Sequence, residues 1–375
     1  MNILFLNSIE KETYGGMEEW IRLTASGLVD RGHSVAVAGR PESEFLNRIS
    51  KDSSEISVLP LKIRGDFSPA TISKLIKYLT AQRVDVIVVN FNKDVRLGGL
   101  AARLKQRPKV IWSVGLDITK DSLVHHFLTP KLVDGVIVPS HSLKKQITRL
   151  GYIKEDIVHV IPIGIADNNI QRSDKEASEQ LRIKYGWPDE SLIAVTVGRF
   201  VNQKGHRYLI EAAQQIVRHN HLARFIFVGD GPLRGDLEEL IDRKKLTDSI
   251  ALTGMMKEID LELAGADMMI HPSVEEPFGI AILEGMRAGL PIVASRVGGI
   301  PEVVAENESA ILVPPRDSVT LAASVIDMFD NEEYRTSMAN AGRERWQHNF
   351  RVETMINRVE DCLYSHCDSG EFSRG

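Results

Sequence analysis

The chain has 375 residues, 43% hydrophobic and 26% charged, with a formal net charge of −5, which is the balance of an ordinary globular protein. That length is too great for one ordinary core and suits two domains of roughly 150–200 residues each. No window reaches the roughly 18 uninterrupted apolar residues of a membrane span, and MNILFLNSI lacks a basic region before its apolar run, so it reads as a first strand and not a signal peptide. Cys362 and Cys367 are too few for a disulfide framework and no metal-ligand spacing surrounds them, so a reducing cytoplasm is expected.

Short β-like runs alternate with helical patterns from the start. Ile3–Asn7 reads as a strand, Gly16–Arg31 as a helix with Trp20, Leu23, Ala25 and Leu28 at helical spacing, and Ser34–Ala38 as the next strand. Asp85–Val89, Val110–Val114, Gly135–Val138 and Val158–Ile161 continue the series. Their near-continuous Val/Ile content predicts parallel strands covered on both faces, a doubly wound α/β domain. The polar segment Asp167–Glu179 breaks the pattern and is read as the inter-domain region. A second series follows, with strands at Ile193–Val197, Arg224–Val228, Ile250–Leu252, Met268–His271, Pro291–Ala294 and Ala310–Val313. Tyr208–His219 and Pro232–Lys245 read as helices between them, and Asn331–Cys367 is mostly helical by pattern. Two Rossmann-like domains in tandem predict a cleft between them, where such folds bind ligands.

Charge divides unevenly. Met1–Ile165 holds 23 Lys+Arg against 17 Asp+Glu, a net of +6, and the remainder carries −11. A basic N-terminal half suits an anionic membrane surface or an anionic acceptor. Scattered solvated charge is the plainer reading, since no block of like charges stands out.

Five stretches could carry chemistry. In VGRFVNQKG (197–205), Gly198 opens a loop whose Arg199 and Lys204 can converge on a diphosphate, the one as a planar donor fork and the other as a compact charge; two solvated bases are the alternative. In TYGGMEE (13–19), Gly15 and Gly16 allow backbone N–H groups to approach an anion at a helix start; a tight turn needing positive φ is the alternative. VGDGPLRG (228–235) has the spacing G-x-G-x-x-x-G and no acidic strand end about 20 residues on, so a strand-to-helix turn with Pro232 at the first helical position fits better than a dinucleotide site. In HPSVEEPFGIAILEG (271–285), a helix from about Phe278 to Ala288 turns its positive end toward the cleft, with Glu276 just before it and Glu284 on the face of Ile280 and Ala281. VGGIPEV (297–303) offers Gly298 and Gly299 as a second anion-approach loop.

Taken in this order, the five stretches resemble the large family of retaining nucleotide-sugar glycosyltransferases with the GT-B fold, usually numbered family 4, over essentially the whole chain. The family's E-x7-E signature aligns with Glu276 and Glu284, whereas Glu275 does not fit the spacing. The resemblance implies two Rossmann-like doubly wound domains facing across a cleft: an acceptor-side domain over 1–168, a donor domain over 169–350, and a final helix within 351–367 crossing back. It implies that Arg199 and Lys204 bind the donor diphosphate, that Gly15 and Gly16 close on it, and that Gly198, Gly298 and Gly299 line it. Glu284 is implied to accept from the ribose hydroxyls and Glu276 from a sugar hydroxyl, with the backbone of Phe278, Gly279 and Ile280 holding sugar and phosphate. The implied enzyme is a metal-independent retaining hexosyltransferase with no cofactor, the nucleotide-sugar (a UDP-sugar, for example) being its substrate. It works by front-face attack with the leaving phosphate as base. Its acceptor is a glycan or lipid-linked sugar of the cell envelope, such as lipopolysaccharide. The place is the cytoplasm or the inner membrane face, and nucleic acid is not a partner. Acceptor contacts are expected from Lys62–Pro69 and Asn90–Arg96.

The sequence departs from the family in three places. The usual histidine after the strand of VIWSVGLD falls at Gly115, with Asp117 close by and His125 and His126 further on, a pair more often found as packing and surface residues. Ile163 stands for the common Asn, and Ser309–Ala310 for the usual glycine. A non-catalytic nucleotide-sugar-binding protein and a nucleotide-sugar epimerase of the same fold are the alternatives.

Overall fold

The computed structural model describes residues 1–9, 15–52, 54–63, 65–105, 108–116, 118–168, 175–256 and 258–368. Thr13, Tyr14 and Asp117, and 169–174 of the polar inter-domain segment, lie outside them. The chain divides into two units: Met1–Gly164 with Val352–Gly375, and Ile165–Arg351.

The first unit is built on seven strands, β1 (Asn2–Asn7), β2 (Ser34–Gly39), β3 (Ser57–Pro60), β4 (Val86–Val89), β5 (Lys109–Ser113), β6 (Gly135–Val138) and β7 (Val158–Val160), in the order β3-β2-β1-β4-β5-β6-β7. Every pairing is parallel. The order reverses at β1/β4, the switch point where the crevice of a doubly wound sheet forms. Val86–Val89 and Gly135–Val138 are buried throughout, as expected for strands covered on both faces. One layer joins Leu6, Val89 and Trp112; the other joins Phe5, Ile21 and Val88 to Met355, Val359 and Leu363 of the final helix, Val352–Asp368. That helix therefore completes the first unit's core. It also lowers the unit's charge, because 352–375 adds two basic and five acidic residues and leaves a net of +3 in place of +6.

The second unit has six parallel strands, β8 (Leu192–Val197), β9 (Ala223–Val228), β10 (Ile250–Gly254), β11 (Met268–His271), β12 (Ile292–Ser295) and β13 (Ile311–Val313), in the order β10-β9-β8-β11-β12-β13. Its order reverses at β8/β11. The loops after β8 and β11 carry VGRFVNQKG and HPSVEEPFG, so the switch point and the motif cluster coincide.

Several expectations need correction. The helix after β9 is Arg234–Lys244 and not Pro232–Lys245. Pro232 lies in a turn in which Leu233 N–H donates to the Phe200 carbonyl at 3.1 Å and Arg234 N–H to Gly231 at 3.0 Å. The helix after β11 begins at Ile280, because its N-cap Gly279 sits at φ 111°, outside helical geometry. Asn90–Arg96 is mostly not a loop, since a helix runs from Asn92 to Lys105.

Candidate functional site

In the second unit, three loops are knitted backbone to backbone at the C-terminal strand ends. After β8, Gly205 sits at φ 66° and its missing side chain leaves room for the Pro272 carbonyl, which lies 2.1 Å from where a Cβ would be. The Gln203 carbonyl accepts from Val274 N–H at 2.8 Å and Glu275 N–H at 3.2 Å. This close approach carries Lys204 onto the loop after β11. After β12, Gly298 at φ 51° would set a Cβ 1.8 Å from the Glu276 carbonyl oxygen, and that oxygen accepts from Gly299 N–H at 3.0 Å. The VGGIP glycines therefore press the third loop onto Glu276 and Pro277. The Gly299 N–H, expected to be open to an anion, is already donated within the protein.

The result is a compact polar cluster. Lys204 Nζ donates to Glu276 Oε2 at 2.5 Å, and His271 Nε2 donates to the same oxygen at 2.8 Å. Ser273 Oγ lies 3.0 Å from His271 Nε2 and 3.4 Å from Glu276 Oε2. His271, Ser273 and Glu276 are buried, and Lys204 is partly exposed. Burial alone would raise the Glu276 carboxyl. The His271 hydrogen bond and the Lys204 charge outweigh it and bring the carboxyl from 4.5 down to about 2. Behind the cluster, His206 is buried edge-on to Phe200, with ring centroids 5.0 Å apart. Burial, followed by the charges of His271 and Lys204, lowers it to about 3, so it stays neutral.

The other expected residues fall around this cluster. Gly198 precedes Arg199, whose guanidinium is exposed and has no partner among the described residues. Phe278 is buried against Phe350, with ring centroids 6.1 Å apart. Gly279 and Ile280 start the nine-residue helix Ile280–Ala288, whose N-terminus has no side-chain cap and so leaves donors and a positive dipole end to serve an anion. Glu284, half-buried one turn on, is the foremost acid offsetting the buried charge of Arg287. Glu275 is exposed beside the cluster.

Gly15 and Gly16 lie in the first unit, at the start of the helix Gly16–Val29. Gly15 is extended at φ −155°, so the tight turn of positive φ is not what it serves. Its N–H donates to Glu18 Oε2 at 3.1 Å, and Asn7 Nδ2 donates to Glu18 Oε1 at 2.9 Å. A buried carboxylate of the chain's own thus already occupies this helix start. Nearby, a Cβ on Gly115 would lie 2.4 Å from Met17 Cε, so the Met17 thioether fills the space beside the position where the resemblance places a histidine. His125 accepts from Arg96 at 3.1 Å, and His126 packs at a tilt against Tyr152, with ring centroids 4.7 Å apart. They form a packing and surface pair. Arg96 also pairs with Asp66.

Sequence reasoning gave no role to His271, Ser273 or His206. His271 and Ser273 stand in the quoted stretch, and the available signal was a histidine at a strand's C-terminal end, five residues before the aligned Glu276.

Two family profiles match the chain in tandem, "Glycosyltransferase Family 4" over residues 14–168 and "Glycosyl transferases group 1" over residues 177–345. The chain belongs to the family-4 GT-B glycosyltransferases. That family takes its sugar from nucleotide-sugar donors. Among curated relatives of this glycosyltransferase, the α-D-kanosaminyltransferase of Streptomyces kanamyceticus is 32% identical over 54% of this chain and 53% of that enzyme. This chain thus spans about half the length of that relative. The N-acetyl-α-D-glucosaminyl L-malate synthase of Bacillus anthracis is 26% identical over 90% of each. Among solved structures, Anabaena HepE in complex with UDP and glucose superposes with a TM-score of 0.84 at 23% identity, over 97% of this chain and 100% of that one. At that identity the likeness speaks for the fold.

Proposed function

We propose that this glycosyltransferase moves a hexose-type sugar from a nucleoside-diphosphate donor to a glycan or lipid-linked acceptor, with retention of anomeric configuration and without a metal ion. The observation that carries the reading is the Lys204–Glu276–His271–Ser273 cluster beside an uncapped helix start, with the Arg199 guanidinium open to solvent. As a glycosidic bond to a diphosphate breaks, negative charge gathers on the phosphate. Preorganised cations and a helix N-terminus stabilise charge where it develops, and Arg199 and Lys204 take that part. A carboxyl held near 2 is a weak base. Glu276 is therefore assigned to accept a hydrogen bond from a sugar hydroxyl, which fits retention with the leaving phosphate as base. Glu284 is assigned to the ribose. Gly16, Gly198 and Gly298 are assigned to the donor by family resemblance alone; Gly15 and Gly299 are left out of the assignment, because their N–H groups already donate to Glu18 and to the Glu276 carbonyl.

The acceptor is proposed to belong to the cell envelope, reached from the cytoplasmic side of a membrane. Supporting this, Leu123, Val124 and Phe127 are exposed on the first unit's helix Leu123–Leu132, where Lys131 Nζ lies 3.4 Å from the Phe127 ring centroid. No described helix is long and apolar enough to cross a membrane, so contact would be with the surface, and the modest +3 of this unit favours anionic lipid only weakly. Flotation with anionic vesicles tests it: salt-sensitive binding is expected, and none at low salt removes the proposal.

A second reading, a nucleotide-sugar-binding protein without turnover, draws on Gly115, where the resemblance places a histidine, and the Met17 side chain that fills the space beside it. One experiment separates the two. The purified chain is screened by thermal shift against UDP-, GDP- and ADP-sugars, and the stabilising donor is followed by NMR for transfer or hydrolysis. Turnover that yields a product of the donor's anomeric configuration and is not raised by Mg²⁺ or Mn²⁺ is expected. Binding without turnover favours the second reading, and no binding overturns both.

A further inference from the structure

The first unit carries a cluster that lies outside the donor site and that the sequence spacing hides. His159 stands on the edge strand β7, and Cys362 and His366 stand one turn apart on the final helix. One donor atom of each, the Cys362 sulfur and a ring nitrogen from each histidine, lies within 4.8 Å of the others. The nearest clue in the sequence is C-x3-H near the C-terminus, whose third member lies about 200 residues upstream. We propose that His159, Cys362 and His366 bind a zinc ion that clamps the last turns of the C-terminal helix onto the β6/β7 edge of the first unit.

The chemistry of the donors fits. One thiolate and two imidazoles suit Zn²⁺, and Zn–N and Zn–S bonds of about 2.0–2.3 Å place tetrahedral ligands about 3.3–3.8 Å apart. The present separation of at most 4.8 Å needs a closure of roughly an ångström, which small side-chain rotations supply. Cys362 and His366 share a helix face at i, i+4, so the helix holds this pair in register. The two rings meet edge to face, with centroids 5.1 Å apart. His366 Nδ1 lies 2.8 Å from the Cys362 carbonyl oxygen. A carbonyl only accepts, so Nδ1 of the neutral ring holds the proton and Nε2 keeps its lone pair, the second-sphere arrangement of metal-bound histidines. Room for that ring comes from Gly135 on β6, where a Cβ would lie 2.4 Å from His366 Nε2. Binding replaces the Cys362 thiol proton, which goes to solvent, with a Zn–S bond; one tetrahedral position is left for water.

The test uses the full chain, purified, stripped with a chelator and titrated with Co²⁺ and then with Zn²⁺. Wild type is expected to bind one equivalent of Co²⁺ with a thiolate-to-cobalt charge-transfer band and the d–d bands of a tetrahedral site. Zn²⁺ should displace it and raise the melting temperature. His159→Gln and Cys362→Ser are expected to weaken Zn²⁺ by more than about 100-fold, and His348→Gln, at an exposed histidine elsewhere, to leave it unchanged. Absence of the thiolate band in wild type overturns the proposal even if a variant fails to fold. So does Zn²⁺ affinity that survives both ligand substitutions. Donor binding is read separately, so failure here leaves the transferase reading standing.

Discussion

Replacing Glu276 with Gln keeps the shape of the side chain and removes its charge. The folded carboxyl lies near 2 against 4.5 for the free group, and a shift of that size corresponds to about 3 kcal/mol favouring the ionised, folded form at neutral pH. The sign follows from the depressed value: the stabilisation is present above about pH 4.5 and is lost as pH falls toward 2. Glu276→Gln should therefore destabilise the second unit by about 3 kcal/mol at pH 7, a drop in its melting temperature on the order of 6–12 °C. At pH 4 the gap to wild type should narrow by about 1 kcal/mol, because the unfolded carboxyl is by then largely protonated. Urea unfolding of both proteins at the two pH values measures this. A variant within about 0.5 kcal/mol of wild type at pH 7 would show that Lys204 and His271 do not depend on the carboxylate they share. In activity, the substitution should reduce turnover more than donor affinity.

Arg199→Ala should leave stability within about 0.5 kcal/mol, because the guanidinium is exposed and has no partner among the described residues. Turnover should nevertheless fall about 100-fold or more, read by donor-consumption kinetics. Gly298→Ala should cost more than about 2 kcal/mol in urea unfolding, since it combines a left-handed backbone with a Cβ 1.8 Å from the Glu276 carbonyl oxygen. Asp94 is wholly buried; it accepts from Ser8 N–H at 3.2 Å and Phe91 N–H at 3.0 Å, and burial raises it from 3.8 to about 6. Its raised value means that stability is fully present below about pH 4 and falls as pH rises through 6. Asp94→Asn should accordingly gain about 2 kcal/mol relative to wild type between pH 4.5 and pH 7.

Legibility varied with how local the determining physics is. The strands buried on both faces announce themselves, and Ile193–Val197 and Val110–Val114 lie within a residue of β8 and β5. β3 did not, because Ser57–Pro60 is a short, mostly exposed edge strand ending in proline, a residue that argues against a strand. Arg199, Lys204 and Glu276 were legible through motif spacing, but the bond between Lys204 and Glu276 was not. It depends on Gly205 letting the Pro272 carbonyl into its missing side-chain space, and the two bonded residues stand 72 positions apart in the chain. Gly299 misled for the related reason that a glycine signals close approach without saying of what; here the neighbour is the protein's own backbone. The charge asymmetry was overstated because composition cannot tell that an acidic C-terminal helix returns to the basic unit.

If Arg199 and Lys204 hold the diphosphate of a nucleotide-sugar, removing either one must weaken the binding of a nucleoside diphosphate. Calorimetric titration of the nucleoside diphosphate that stabilises wild type, repeated on Arg199→Ala and on Lys204→Met, tests it most directly. Each substitution is expected to weaken binding by about 10-fold or more, with a shallower dependence on salt. Affinity unchanged in both folded variants would contradict it.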